Sequence, residues 1–301
     1  MVLGMRILVF ILSALMACNA VASDYKALLE KARSGDPDAQ NSLGEYYADG
    51  DGGKVASNFD LAIACWRRAA KGGSAKAYTN LGSMYYAGKG VPKSTPMAVE
   101  LWTEGAKRGD ASAQYLLGNA YCKGLAVLPD IQTAAFWWSK AAEKGHMRAQ
   151  NNLAFAYAKG EGVAAKDINK AFQLWKASAE QGYGPAQVYL GLCYFTGDGV
   201  EPDPQKAVAI WTNAAEINGD VDAVYYLGVA SASGTGTPKD IRKAYRYFSL
   251  AASKGHKLAA QEAEKMAISF GRDNLTKRTE KSQETTQPES KNASGKPPAG
   301  M

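Results

Sequence analysis

The sequence predicts an all-α solenoid built from two-helix hairpins, and three markers carry that prediction. A leucine returns at Leu43, Leu81, Leu117, Leu153, Leu190 and Leu227. A large aromatic returns at Trp66, Trp102, Trp138, Trp175, Trp211 and Phe248, and a glycine closes each unit at Gly73, Gly109, Gly145, Gly182, Gly219 and Gly255. All three keep a period of 36 to 38 residues, so about six repeats are expected.

The fifth unit shows how each hairpin is written. Ala186, Tyr189, Leu190, Cys193 and Tyr194 fall at i, i+3, i+4, i+7 and i+8, the apolar stripe of one helix. Ala207, Ile210, Trp211, Ala214 and Ala215 form the stripe of a second. Between them Gly197-Asp198-Gly199 suits a helix end and turn. Asp203 is placed to cap the second helix and Pro204 to begin it. The glycine after each stripe leucine (Gly44, Gly82, Gly118, Gly191, Gly228) lets the paired helix approach closely, with Ala154 standing in the fourth unit. The aromatic then fills the wedge, burying roughly 150–250 Å² of side chain.

In chain order, Arg6, the apolar run Ile7–Met16 and Ala20-Val21-Ala22 read as an export signal over residues 1–22, too short to span a membrane as a mature helix. Leu15-Met16-Ala17-Cys18 also fits a lipoprotein signal, with a lipid anchor on Cys18, and both readings stand. The expected location is periplasmic or secreted, or envelope-anchored through Cys18. Tyr25, Leu28, Leu29 and Ala32 form half a repeat that caps the start of the stack. The first unit has a long connection, Gly50–Asp60; its sixth and twelfth positions, counted from Asp49, are Lys54 and Asp60, so calcium-loop spacing fails. Ala259, Ala263, Met266, Ala267 and Phe270 form the closing half-repeat. The solenoid is thus expected over 23–270, and residues 271–301, polar and almost without apolar side chains, are expected to remain unfolded.

The pattern A-x-x-x-L-G-x-x-Y-x-x-G-x-G-V…K-A-x-x-x-W-x-x-A-A-x-x-G resembles the Sel-one-like repeat family, relatives of tetratricopeptide repeats. In the fifth unit Ala186, Leu190, Gly191, Tyr194, Gly197, Gly199, Val200, Lys206, Ala207, Trp211, Ala214, Ala215 and Gly219 carry it. The sixth departs at Ser231 and Thr237, which makes its turn the least secure. The resemblance implies a right-handed α-solenoid acting as a protein-interaction scaffold. It also brings in a cysteine-rich branch that binds or hydrolyses penicillin-type compounds. This chain lacks that branch's paired cysteines, and its one S-x-x-K, Ser23–Lys26, has no Ser-Asp-Asn or Lys-Thr-Gly beside it.

Little in the sequence points to catalysis. The two histidines, His146 and His256, follow the closing glycine of a unit, where Asp110, Tyr183 and Asp220 stand elsewhere, so they read as loop positions. No zinc spacing and no phosphate loop occurs, and no cofactor is expected. The net charge of +6, from 35 basic and 29 acidic residues in 301, is spread out, which argues against a nucleic-acid partner. Cys65, Cys122 and Cys193 lie at different places in three repeats and are expected as free thiols.

The expected partner is a protein or peptide, held on the first helices, which line the concave side in such solenoids. Positions two, six and nine after each unit's first alanine flank the stripe. They supply the candidate partner-binding residues Tyr86, Tyr115, Asn119, Asn151, Phe155, Val188, Leu192, Phe195 and Tyr225. Each aromatic among them could instead pack against the neighbouring first helix. The row Val188, Leu192, Phe195 is the most apolar and is the expected contact point. A hydrolase of cell-wall or β-lactam substrates, and a secreted protein that contacts a host, remain as alternatives.

Overall fold

The computed structural model describes residues 24–50 and 56–284, with side chains through Phe270. Residues 1–23, which hold the stretch expected to be an export signal and Cys18, and residues 51–55 and 285–301 lie outside the described residues. Among the described residues there are fourteen helices and no strand. Helix α1 covers 24–33. The first helices of the six repeats are α2 (Pro37–Asp49), α4 (Ala75–Ala87), α6 (Ala111–Lys123), α8 (Met147–Lys159), α10 (Gly184–Thr196) and α12 (Val221–Ser233). The second helices are α3 (Phe59–Lys71), α5 (Thr95–Lys107), α7 (Ile131–Glu143), α9 (Ile168–Glu180), α11 (Pro204–Ile217) and α13 (Ile241–Ser253), and α14 (Lys257–Glu284) follows.

The chain divides into two units, one of residues up to 193 with 197–201, the other of 194–196 with 202 onward. In the first, α2 packs on α3, α4 on α5, α6 on α7 and α8 on α9, and each second helix packs on the next first helix as far as α8. Tyr25, Leu28 and Leu29 of α1 pack on Ala32, Ala39 and Leu43, covering the start of the stack. In the second unit α11 packs on α12, α12 on α13 and α13 on α14.

The helix boundaries have local causes. Aspartate side chains cap both helix types: Asp36, Asp110 and Asp220 accept from the backbone N–H three residues on, as do Asp130, Asp167, Asp203 and Asp240. Each such cap contributes about 1 kcal/mol. The sixth turn closes like the others despite Thr237, because Gly234 and Gly236 keep φ of 81° and 74°. Each aromatic marker is buried: Trp66, Trp102, Trp138, Trp175, Trp211 and Phe248 are at most 5% exposed. The close approach at the stripe glycine is real, since a Cβ on Gly118 would stand 2.6 Å from Trp138 Cδ1.

One expectation is corrected in part. Composition ends the fold at 270, yet the helical backbone of α14 continues from 271 to 284. That stretch is rich in Lys, Arg, Glu and Gln, which cannot form a core but are good helix formers once a packed helix precedes them.

Candidate binding face

The face predicted from the sequence divides by position. Position two turns toward the next repeat. Asn151 and Val188 are 5% and 2% exposed, so the expected presentation of these two side chains to a partner is not what the structure places there. Thr79, at the same position, donates from its hydroxyl to Asp110 Oδ1 at 2.7 Å, and Asp110 is the N-cap of the next first helix. Tyr115 stacks on His146 with ring centroids 4.7 Å apart, and Tyr225 stacks on His256 at 4.5 Å. Both histidines are N-caps, accepting through Nδ1 from Ala149 and Ala259. Position two and the following cap therefore act as a pair, Thr with Asp and Tyr with His. The histidines' place in the loop was legible; their aromatic partners were not.

In the second to fourth repeats position six decides whether the indole N–H of the core tryptophan has an acceptor, whereas in the first Trp66 donates to the Asn41 carbonyl at 3.2 Å. Asn119 Oδ1 accepts from Trp138 Nε1 at 3.1 Å and from Asn152 Nδ2 at 3.0 Å. Ser83, nineteen residues before Trp102 as Asn119 is before Trp138, is too short to do this, and Trp102 Nε1 is buried without a partner. Phe155 has no acceptor to offer, and Trp175 Nε1 is left alike. Phe155 instead meets Trp175 and Tyr189 edge-on at 5.4 and 4.6 Å. Leu192 is half-buried. At position nine Tyr86 is 41% exposed beside Trp102. Phe195 is half-buried against Trp211, 5.4 Å away.

Two openings lie along α6 and α8 in the first unit. A cleft of about 230 Å³ is lined from α6 by Asn119 and Cys122 and from α8 by Asn152, Phe155 and Lys159, with Trp138 at its base. It brings together two of the predicted residues, Asn119 and Phe155. A second opening, of about 500 Å³, is lined by Ser112, Tyr115 and Leu116 of α6, by His146 and Arg148 at the start of α8, and by Gln181. Ser112, Tyr115, Asn119 and Cys122 are spaced 3, 4 and 3 residues apart, which puts both openings on one face of α6. Ser112, Arg148 and Gln181 carry no apolar signal and were missed from the sequence. What marks them is that equivalent positions in other repeats hold different residues.

The titrating groups here are perturbed by burial. His146 is held below the ordinary histidine value, chiefly because burial disfavours its charged form. Tyr183 is pushed up by burial, and its hydroxyl is coupled electrostatically to Tyr115 and Arg148. The three cysteines among the described residues are unpaired: Cys122 is exposed, Cys65 half-buried, and Cys193 buried with its thiol pushed up to about 12. Among the described residues no cluster of His, Cys, Asp and Glu could hold a metal, and no helix is long and apolar enough to cross a membrane.

The Sel1 repeat model matches six stretches, residues 37–74, 75–110, 111–146, 148–183, 184–218 and 221–256. A solved Sel1 repeat protein from Oxalobacter formigenes is 32% identical, covering 73% of this chain and 89% of its own, with a TM-score of 0.64. A solved protective antigen of uropathogenic Escherichia coli strains, with an SLR fold, is 28% identical over 78% of this chain, with a TM-score of 0.61. This chain spans 57% of that antigen's length. No curated protein matches.

Proposed function

Because this chain belongs to the Sel1 repeat family, whose members typically act through protein–protein contacts, we propose that it is an exported, non-catalytic scaffold that holds a peptide segment of a partner along α6 and α8. The observation that carries this reading is the pair of openings on one face of those helices. Residues there such as Cys122, Phe155 and Arg148 differ from their counterparts in other repeats, so the architecture does not require them. From Ser112 to Cys122 the face is about 15 Å long at 1.5 Å per residue. An extended peptide of about four or five residues matches that span.

Export rests on Arg6, the apolar run to Met16 and the small residues at Ala20 and Ala22. Cell fractionation with mass spectrometry of the mature N-terminus tests it. A chain starting at Ser23 or at acylated Cys18 supports export, and an intact Met1 in the cytoplasm overturns it. Action outside the cell on a host is the second reading, favoured by the relative described as a protective antigen.

The scaffold reading is tested by affinity capture from envelope extract with the wild-type chain, Cys122→Arg and Phe155→Asp, folding being checked by circular dichroism. Loss of the same partner from both folded variants is expected. Equal recovery by all three would refute the assignment to this face.

A further inference from the structure

We propose that the opening at the start of α8 is a subsite for the carboxylate side chain of an acidic peptide, with Arg148 as its counter-charge and the Tyr115–His146 stack as its floor. This rests on the peptide-scaffold reading above and names the chemistry of its ligand.

The polar lining of the opening is electron-poor. Arg148 is exposed, and among the described residues it forms no ion pair with a carboxylate. His146 Nδ1 is occupied in capping α8, where it accepts the Ala149 N–H at 3.3 Å. A neutral imidazole has one ring proton, so that proton is on Nε2 and is a donor. Ser112 and Tyr115 add hydroxyls. No Asp or Glu lines the opening. The carboxylate that acts on His146, Asp110, is already engaged by the Ala113 N–H and the Thr79 hydroxyl. Gln181 likewise has its amide nitrogen on Gln150 and the Ala177 carbonyl. An incoming carboxylate thus meets a guanidinium, an imidazole N–H and hydroxyls, with the Asp110 carboxylate outside the lining. Charge-assisted bonds to a guanidinium are the strong ones.

The arrangement is particular to this place in the chain. Position two holds tyrosine in two repeats, Tyr115 and Tyr225, each stacked on a histidine cap. Beside the second stack, the residue two after the cap is Leu258, and Asp222 lies 3.4 Å from His256 Nε2. There the imidazole already has a carboxylate, supplied by the chain itself. At His146 the corresponding residue of the preceding helix is Ser112, which leaves the place open, and Arg148 stands where Leu258 does. The internal Asp222–His256 contact shows what the His146 opening lacks.

Random-peptide display on the intact chain tests this, with Arg148→Glu and Arg148→Lys run in parallel. Both substitutions are on an exposed side chain. The expected result is enrichment of Asp and Glu among peptides selected by the wild type and by Arg148→Lys, with that enrichment lost or reversed on Arg148→Glu. A selected acidic peptide should bind Arg148→Glu at least tenfold more weakly in fluorescence anisotropy, and more weakly to wild type as salt rises. Selection of peptides without acidic enrichment, or of acidic peptides equally by Arg148→Glu, overturns the subsite while leaving the scaffold reading intact. Failure to select any peptide overturns both.

Discussion

Replacing Ala126 by glycine should stabilise this protein, although it removes a methyl group. Ala126 is the one non-glycine among the described residues with positive φ, at 53°. Its counterparts Gly90, Gly162, Gly199 and Gly236 have φ between 67° and 75°. An L-residue held there costs about 1–2 kcal/mol. Glycine has more freedom to lose on folding, which returns about 0.4–1 kcal/mol of that gain. Ala126 is exposed, so its methyl contributes no burial. The net gain is about 0.5–1 kcal/mol, or about 1–4 °C in Tm for a chain of this size. The reverse change elsewhere should be severe. A Cβ on Gly162 would stand 2.3 Å from the Ile131 carbonyl oxygen, so Gly162→Ala adds a backbone clash to the dihedral cost. Urea unfolding of both variants and wild type provides the measurement, with a rise in midpoint for Ala126→Gly and a fall for Gly162→Ala of about 2 kcal/mol or more. If Ala126→Gly lowered the midpoint, the left-handed strain assigned to that turn would be wrong.

Three further outcomes follow from side-chain environments. Asn119→Ala leaves the Trp138 N–H buried without an acceptor and should cost about 1–3 kcal/mol, whereas Ser83→Asn gives Trp102 the acceptor it lacks and should add about 1 kcal/mol; urea midpoints moving together would contradict this. The pKa of His146 is depressed in the folded state, so the unfolded chain binds the extra proton first; its contribution is complete above about pH 6.5 and is lost as pH falls below that value. His146→Asn keeps an N-cap acceptor and should flatten the stability profile below about pH 6.5, and parallel profiles for the two proteins would refute the assignment. Native thiol labelling followed by peptide mapping should modify Cys122 quickly, Cys65 slowly and Cys193 only on unfolding; early labelling of Cys193 would contradict its burial.

The repeat was legible because its markers recur in every unit and mark the buried stripe of each helix. Gly118 meets Trp138 within its own hairpin, while Leu117 packs with Trp102 of the preceding one, and helical spacing in the sequence places both on the packed side of α6. Position two was misleading because Thr79, Asn151 and Val188 are buried outside that stripe; Thr79 bonds the cap of the following repeat. A stripe of period 3.6 carries no information about a second buried row beside it. Val188 looked like an exposed apolar residue for this reason. The continuation of α14 was missed for a related one: composition reports whether a segment can bury surface, while helix propensity decides whether an existing helix goes on.

Six copies of one unit allow architecture and specificity to be separated within a single chain. A residue that the unit needs recurs, as Trp138 does. A residue coupled to a neighbour varies together with it, as Tyr115 and His146 differ jointly from Thr79 and Asp110. What remains are exposed positions whose residue type the packing does not fix. The residue two after each first-helix cap is one: Asp38, Lys76, Ser112, Arg148, Pro185, Asp222 and Leu258 occupy it, and all are exposed. The fold accepts an acid, a base, a hydroxyl, a proline or a leucine there, so packing does not select among them. A cation at this place next to an aromatic–imidazole stack changes the charge that the surface presents without altering the helices that carry it. Sign reversal at Arg148 is therefore a probe of recognition that leaves the repeat's internal contacts in place, which a substitution at Phe155 or Asn119 cannot do.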